Sequence, residues 1–186
     1  MWTGRLCRWG LAAAVAAVAL AAAGCASDGG SPGAMRAEPV SGWDDVRSVS
    51  RSGRFTFAGQ PNEAALERFA AEGGAMVIDT RTHEGSDGPE FDEQGIVTSL
   101  GMQYVHLPVS PETFSAADVE RFAELAQQTE GPVLLHCSSS NRVGALWAAY
   151  LAREKGVATE KAIAAGKTAG LRTPEAEEAA RRVIGP

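Results

Sequence analysis

The sequence predicts an α/β domain: a three-layer sandwich with helices on both faces of a central, mainly parallel sheet of four or five strands. Three observations predict it. Short apolar runs alternate with stretches of helical periodicity. Gly and Pro residues punctuate the joints between them. One apolar run ends on a cysteine, at the kind of strand end where open α/β sheets bind ligands. In chain order, Arg54–Ala58 reads as a short strand. Pro61–Ala71 reads as a helix stopped by Gly73 and Gly74. Ala75–Asp79 is a buried strand, followed by a polar loop from Thr80 to Pro89 and a weaker helix over about Glu90–Leu100. Met102–Leu107 is a third strand. Ser115 caps a helix running to about Thr129, with Asp118 three positions on in a variant capping box. After Gly131-Pro132 comes the strand Val133–His136, then a loop and a helix from Arg142 to about Lys155. Helices over Thr159–Ala169 and Thr173–Ile184 close the domain, the latter with Thr173 as N-cap and Pro174 at its first position.

The 186 residues suffice for one domain and an N-terminal extension, and the composition, 45% hydrophobic and 22% charged, is that of an ordinary folded domain. A formal charge of −6 and the lack of a basic stripe argue against nucleic acid as a partner. Residues 1–24 read as a signal segment. Arg5 and Arg8 form the charged region, the thirteen residues Leu11–Ala23 the apolar one, and Ala22-Ala23-Gly24-Cys25 the small-residue cleavage site. This segment resembles a bacterial lipoprotein signal, which implies lipidation of Cys25 and an exported domain anchored to the bilayer of the cell envelope. With two membranes it would sit on the periplasmic face, and Ala26 after the cysteine implies outer-membrane sorting. Residues 25–40 read as a flexible Gly/Ser/Pro-rich linker and 41–186 as the folded domain. Loss of Arg5 and Arg8 takes the charge to −8. Cys7 leaves with the signal and Cys25 is used by lipid, so Cys137 is the one thiol left, which points to a reactive group.

The segment Val133–Gly144 (VLLHCSSSNRVG) carries the chemistry. Cys137 follows the strand and precedes a helix, where unpaired N–H groups and the helix dipole favour a negatively charged sulfur. Arg142 brings a planar fork of donors back to the same spot, suited to an oxyanion. Ser138, Ser139, Ser140 and Asn141 form the loop around that anion, with His136 orienting it. No ligand spacing links His83, His106 and Cys137, so no metal and no cofactor is expected. Arg81 and Glu84 read as a structural ion pair. Trp147 and Tyr150 read as core, and Glu175–Glu178 as a solvated helix face.

Upstream of that segment lie Phe57-Ala58-Gly59-Gln60-Pro61, Asp79-Thr80-Arg81, Glu84 and Tyr104–Val109. In this order, over about Gly53–Leu171, the residues resemble the cysteine-dependent phosphatases of the tyrosine and dual-specificity kind. They resemble more closely a bacterial branch, the phosphatase domain found fused to beta-lactamase-like hydrolases. The resemblance implies a tyrosine-phosphatase-like fold and hydrolysis of a phosphomonoester, on protein phosphotyrosine or a small phosphorylated molecule. Cys137 would attack phosphorus, and Arg142 with the loop amides would hold the charge. Typical tyrosine phosphatases have one more residue between Cys and Arg than the four here. That removes up to about 3.5 Å of backbone from the ring. Rhodanese-type sulfurtransferases also use a short loop, so a persulfide carrier on Cys137 is the first alternative. Val143 stands where many phosphatases have Ser or Thr, and Ser140 where related loops carry Gly. A catalytically weak oxyanion-binding module is the second alternative. The proton donor is expected in the loop after the third strand. Glu112 is the first candidate, Asp118 the second, and Asp87 with Glu84 the third.

Overall fold

The computed structural model describes residues 35–186 apart from positions 44 and 89. The expected signal segment 1–24, the lipidation site Cys25 and most of the linker lie outside the described residues. The elements are β1 (Glu38–Pro39), β2 (Ser50–Ser52), β3 (Phe55–Ala58), α1 (Glu63–Ala71), β4 (Met76–Asp79), α2 (Glu93–Ser99), β5 (Gln103–His106), α3 (Ala116–Gln127), β6 (Val133–His136), α4 (Asn141–Lys155), α5 (Thr159–Thr168) and α6 (Pro174–Ile184). A 3-10 turn, Gly85–Asp87, interrupts the loop between β4 and α2.

One sheet of six strands runs in the order β1-β2-β3-β6-β4-β5. The four strands from β3 to β5 are parallel, while β1 and β2 add an antiparallel edge. The extra strands, against the four or five expected, are two and three residues long. They pair through the main chain, which leaves no period-2 signature to read. The linker expected over 25–40 likewise gives way to ordered structure by Met35. Ala37 is buried and its N–H donates to Thr168 Oγ1 at 2.9 Å, while Trp147 Nε1 donates to the Met35 carbonyl at 3.4 Å.

Alternation along the strands builds the layers. Phe55, Phe57, Met76, Ile78, Val133 and Leu135 face α3–α6. Ala58, Val77 and Leu134 face α1, α2 and Trp43. Two helix starts follow the expected caps: Ser115 and Asp118 form a capping box, and Thr173 caps α6 ahead of Pro174. At α1, Asn62 is the cap, with Oδ1 accepting the Ala65 N–H at 2.9 Å. Helices α4 and α5 pack at close range through Gly144 and Gly166. A Cβ added to Gly144 would lie 2.2 Å from Leu171 N and 2.6 Å from Gly166 O. β6 sits between β3 and β4, so its carboxyl end opens at the centre of the sheet with a strand on each side.

Candidate active site

Cys137 follows β6 directly, and its loop is held from three directions. On one side Gly59 bridges Ser139, and the Gln60 N–H donates to the Ser138 carbonyl at 3.4 Å. On the other, both the N–H and the hydroxyl of Thr80 donate to the His136 carbonyl at 2.9 Å. Beneath, the segment after α5 closes the ring. Ser140 Oγ donates to the Ala169 carbonyl at 2.8 Å, Arg172 Nη2 donates to the Ser139 carbonyl at 2.6 Å, and Asn141 Oδ1 accepts the Arg172 N–H at 2.8 Å. Ser140 takes the left-handed conformation, φ 68°, that its place in the loop demands. Gly170 presses on it: at φ +112°, an added Cβ there would meet the Ser140 Cβ at 2.6 Å. The Ser139 N–H points at Cys137 Sγ, 3.5 Å away, and α4 begins at Asn141. The N-terminus of a fifteen-residue helix therefore faces the sulfur.

Arg142 turns back over this loop. Its Nη1 and Nη2 make a two-pronged contact with Asp87, at 2.6 Å to Oδ2 and 2.7 Å to Oδ1, and Nη2 also donates to Ser138 Oγ at 2.8 Å. Burial works against the guanidinium charge, but hydrogen bonds to Asp87 and the proximity of Cys137 outweigh it and raise Arg142 above its ordinary range. Asp87 is the reciprocal case. Burial pushes its carboxyl up, yet Arg142, Ser138 and the Thr82 N–H together hold it well below the usual carboxylate range. Cys137 is only 1% exposed in this closed arrangement.

A second charged cluster lies behind the loop. Arg81 Nη2 reaches Asp79 Oδ2 and Glu93 Oε2, both at 2.6 Å. His136 Nε2 sits 2.6 Å from Glu93 Oε1 and its Nδ1 3.9 Å from Asp79 Oδ1. The His136–Glu93 contact is one of proximity, since neither ring nitrogen nor that oxygen makes an aligned hydrogen bond. Tyr104 Oη donates to Asp79 Oδ2 at 3.1 Å, and His83 Nε2 lies 2.7 Å from the same oxygen. Burial raises the Asp79 carboxyl, but Arg81 and His136 prevail and keep it far below its ordinary range. Burial, with the negative charges of Asp79 and Glu93, raises the Tyr104 phenol. Asp79, Glu93 and His136 offer ligand atoms within 4.8 Å of one another, a set able to hold a cation. The Arg81 guanidinium, bonded to both carboxylates, already supplies one.

Cys137, His136, the four loop residues and Arg142 thus come together. Glu112 is placed differently: it is exposed, and its carboxylate accepts from the Ser110 hydroxyl within its own turn. Asp118 is engaged in the cap of α3, where Oδ2 accepts the Ser115 N–H at 2.9 Å. Arg81 pairs with Asp79 and Glu93 instead of Glu84. Trp147 and Tyr150 lie in the core, stacked at 5.4 Å. His83 and His106 stack on each other at 3.9 Å. Glu93, Arg172 and Gly170 also belong to this surround, although no motif in the sequence marks them. Glu93 reads as an ordinary acid in the first turn of a helix, and the other two gain meaning only when α5 is folded against the loop.

A cysteine after a central parallel strand, a short loop and an arginine in the next helix define the class, a tyrosine-phosphatase-like fold. Several solved structures share it. TpbA from P. aeruginosa superposes with a TM-score of 0.63 at 18% identity, covering 81% of this chain and 89% of that one. A DUF442 protein from Shewanella putrefaciens CN-32 gives 0.60 at 24% identity, covering 75% and 92%. PTPMT1 gives 0.56 at 20% identity, covering 70% and 88%. The chain belongs to the family described as beta-lactamase hydrolase-like protein, phosphatase-like domain, which matches residues 45–153. Beta-lactamase hydrolase-like proteins of Agrobacterium fabrum (strain C58) and Xylella fastidiosa (strain 9a5c) are 31% and 33% identical over 104 and 105 residues. Those stretches are 55% of this chain and 24% of each relative, so the chain spans about a quarter of their length.

Proposed function

We propose that the protein hydrolyses a phosphomonoester with Cys137 as nucleophile. The observation that carries this reading is the return of Arg142 to the loop, where its guanidinium stands beside Cys137 and Ser138. The sulfur attacks phosphorus in line with the leaving oxygen, giving a phosphocysteine. Arg142 and the loop N–H groups stabilise charge on the equatorial oxygens. His136, buried against Glu93, fixes the strand end from which the nucleophile projects. Water then cleaves the S–P bond. Cys137 is 1% exposed, so substrate reaches the sulfur only when the residues over it move. A variant of TpbA was solved in complex with phosphotyrosine, and this supports a phosphorylated substrate here, protein-bound or small. The test is turnover of an aryl phosphate by the protein and by Cys137→Ser: activity is expected only with the cysteine, and equal rates would remove the reading.

One observation favours a second reading. Only four residues separate Cys137 from Arg142, a tight ring that also suits a single sulfur atom. A sulfurtransferase would carry a persulfide, and mass spectrometry after thiosulfate treatment would find added sulfur on Cys137. We also propose that Cys25 is lipidated and holds the domain at the envelope surface. Labelling with a fatty acid analogue, lost in Cys25→Ala, is the expected result.

A further inference from the structure

The site holds a carboxylate of its own. Asp87 makes, with Arg142 and Ser138, the contacts that two oxygens of a bound oxyanion would make: a planar two-pronged pairing on the guanidinium and a hydroxyl donor at 2.7 Å. Its Oδ2 is tethered at the other end by the Thr82 N–H at 2.8 Å and the Thr82 hydroxyl at 3.0 Å. Glu112 and Asp118 are held in their own turns by Ser110 and Ser115.

Building on the phosphatase reading, we propose that Asp87 is the catalytic acid, and that its closed pairing with Arg142 is the resting position from which the substrate displaces it. A phosphoryl group entering the loop takes over Arg142 and Ser138. Asp87 is pushed aside, still near because Thr82 holds it. The charged group facing it is Arg142 from α4, while Ser138 and Thr82 are neutral. Once Arg142 turns to the phosphoryl oxygens, Asp87 has lost its cation and faces an anion. Both changes favour the protonated carboxyl, which it reaches by taking a proton from solvent. A Cys137 Sγ lone pair then forms the S–P bond. The P–O bond breaks with its electrons on the leaving oxygen, and that oxygen takes the Asp87 proton. In the second step a water oxygen bonds to phosphorus, the S–P electrons return to Cys137 as thiolate, and the water proton passes to the Asp87 carboxylate.

The experiment compares the full-length protein, Asp87→Asn and Cys137→Ser on two substrates. Phenyl phosphate needs its leaving oxygen protonated; 2,4-dinitrophenyl phosphate does not. Asp87→Asn is expected to lose about 100-fold in kcat on phenyl phosphate and less than about tenfold on the dinitrophenyl ester. It is also expected to bind inorganic phosphate more tightly in titration calorimetry, because no internal carboxylate has to be displaced. Asp87→Ala should reproduce both effects, with melting checked to exclude unfolding. An equal loss on both substrates, or no loss, overturns the assignment, as does unchanged or weaker phosphate binding. If the unaltered protein is no faster than Cys137→Ser on either ester, the phosphatase reading itself fails, and Asp87 with it. An active parent with a leaving-group-independent variant overturns Asp87 alone.

Discussion

Glu93 and Arg81 are almost wholly buried, next to a His136 side chain with no exposure at all. Such a cluster holds only while it is complete, because removing one partner leaves the others charged and dry. Glu93→Ala is therefore expected to destabilise the fold by about 3–5 kcal/mol, read from the urea midpoint. Because His136 immediately precedes the nucleophile, kcat should also fall even where the protein remains folded. Ser140 is a smaller case. Its hydroxyl donates to the Ala169 carbonyl, so Ser140→Ala should lose about 1–2 kcal/mol. Ser140→Gly should be near neutral, since relief of the left-handed conformation offsets the lost hydrogen bond. Much at this scale was legible in the sequence: Cys137, the loop and Arg142 lie within a few residues of each other. The role of Glu93 was not, because burial of a charge depends on partners at Arg81 and His136 that are close only in space. The Asp87–Arg142 pair, 55 residues apart in the chain, was hidden for the same reason.

Among the elements, α4 does the most to position the site, and Gly144 lets it approach α5. Gly144→Ala places a methyl against main-chain atoms, which cannot rotate away. A loss of about 1–3 kcal/mol is expected, with the loop shifting because Leu171 borders Arg172 and Gly170. The cap of α3 gives the opposite expectation. Asp118→Ala should lose about 1 kcal/mol in thermal or urea unfolding and leave turnover intact, separating a capping acid from a reacting one. The longer helices and the four parallel strands were readable within two or three residues of their ends, because caps, glycines and periodicity agree there. The β1–β2 edge was not, since short strands made by main-chain pairing look like linker.

For the molecule as a whole, the two suppressed carboxyls tie stability to pH. Asp79 and Asp87 sit below their ordinary value of 3.8 in the folded state and return to it on unfolding. Above that value both states are ionised and the stabilisation is full. As pH falls below it, the unfolded chain takes up protons first, and stability declines until the folded carboxyls follow. The urea midpoint should be flat above about pH 5 and drop below about pH 4, more from buried Asp79 than from partly exposed Asp87. A flat profile down to pH 3 would contradict this. No helix among the described residues is long and apolar enough to cross a membrane.

The placing of β6 has a consequence for biosynthesis. β3 and β4 are made early, yet neither pairs with the other; each waits for the strand that leaves the ribosome some fifty or more residues later. A nascent chain ending before Val133 thus presents two open, apolar edges, the kind that recruits strangers or chaperones. When Val133–His136 arrives, one insertion joins the halves of the sheet and sets the nucleophile in its cradle, so the chain cannot complete its scaffold without also assembling its chemistry.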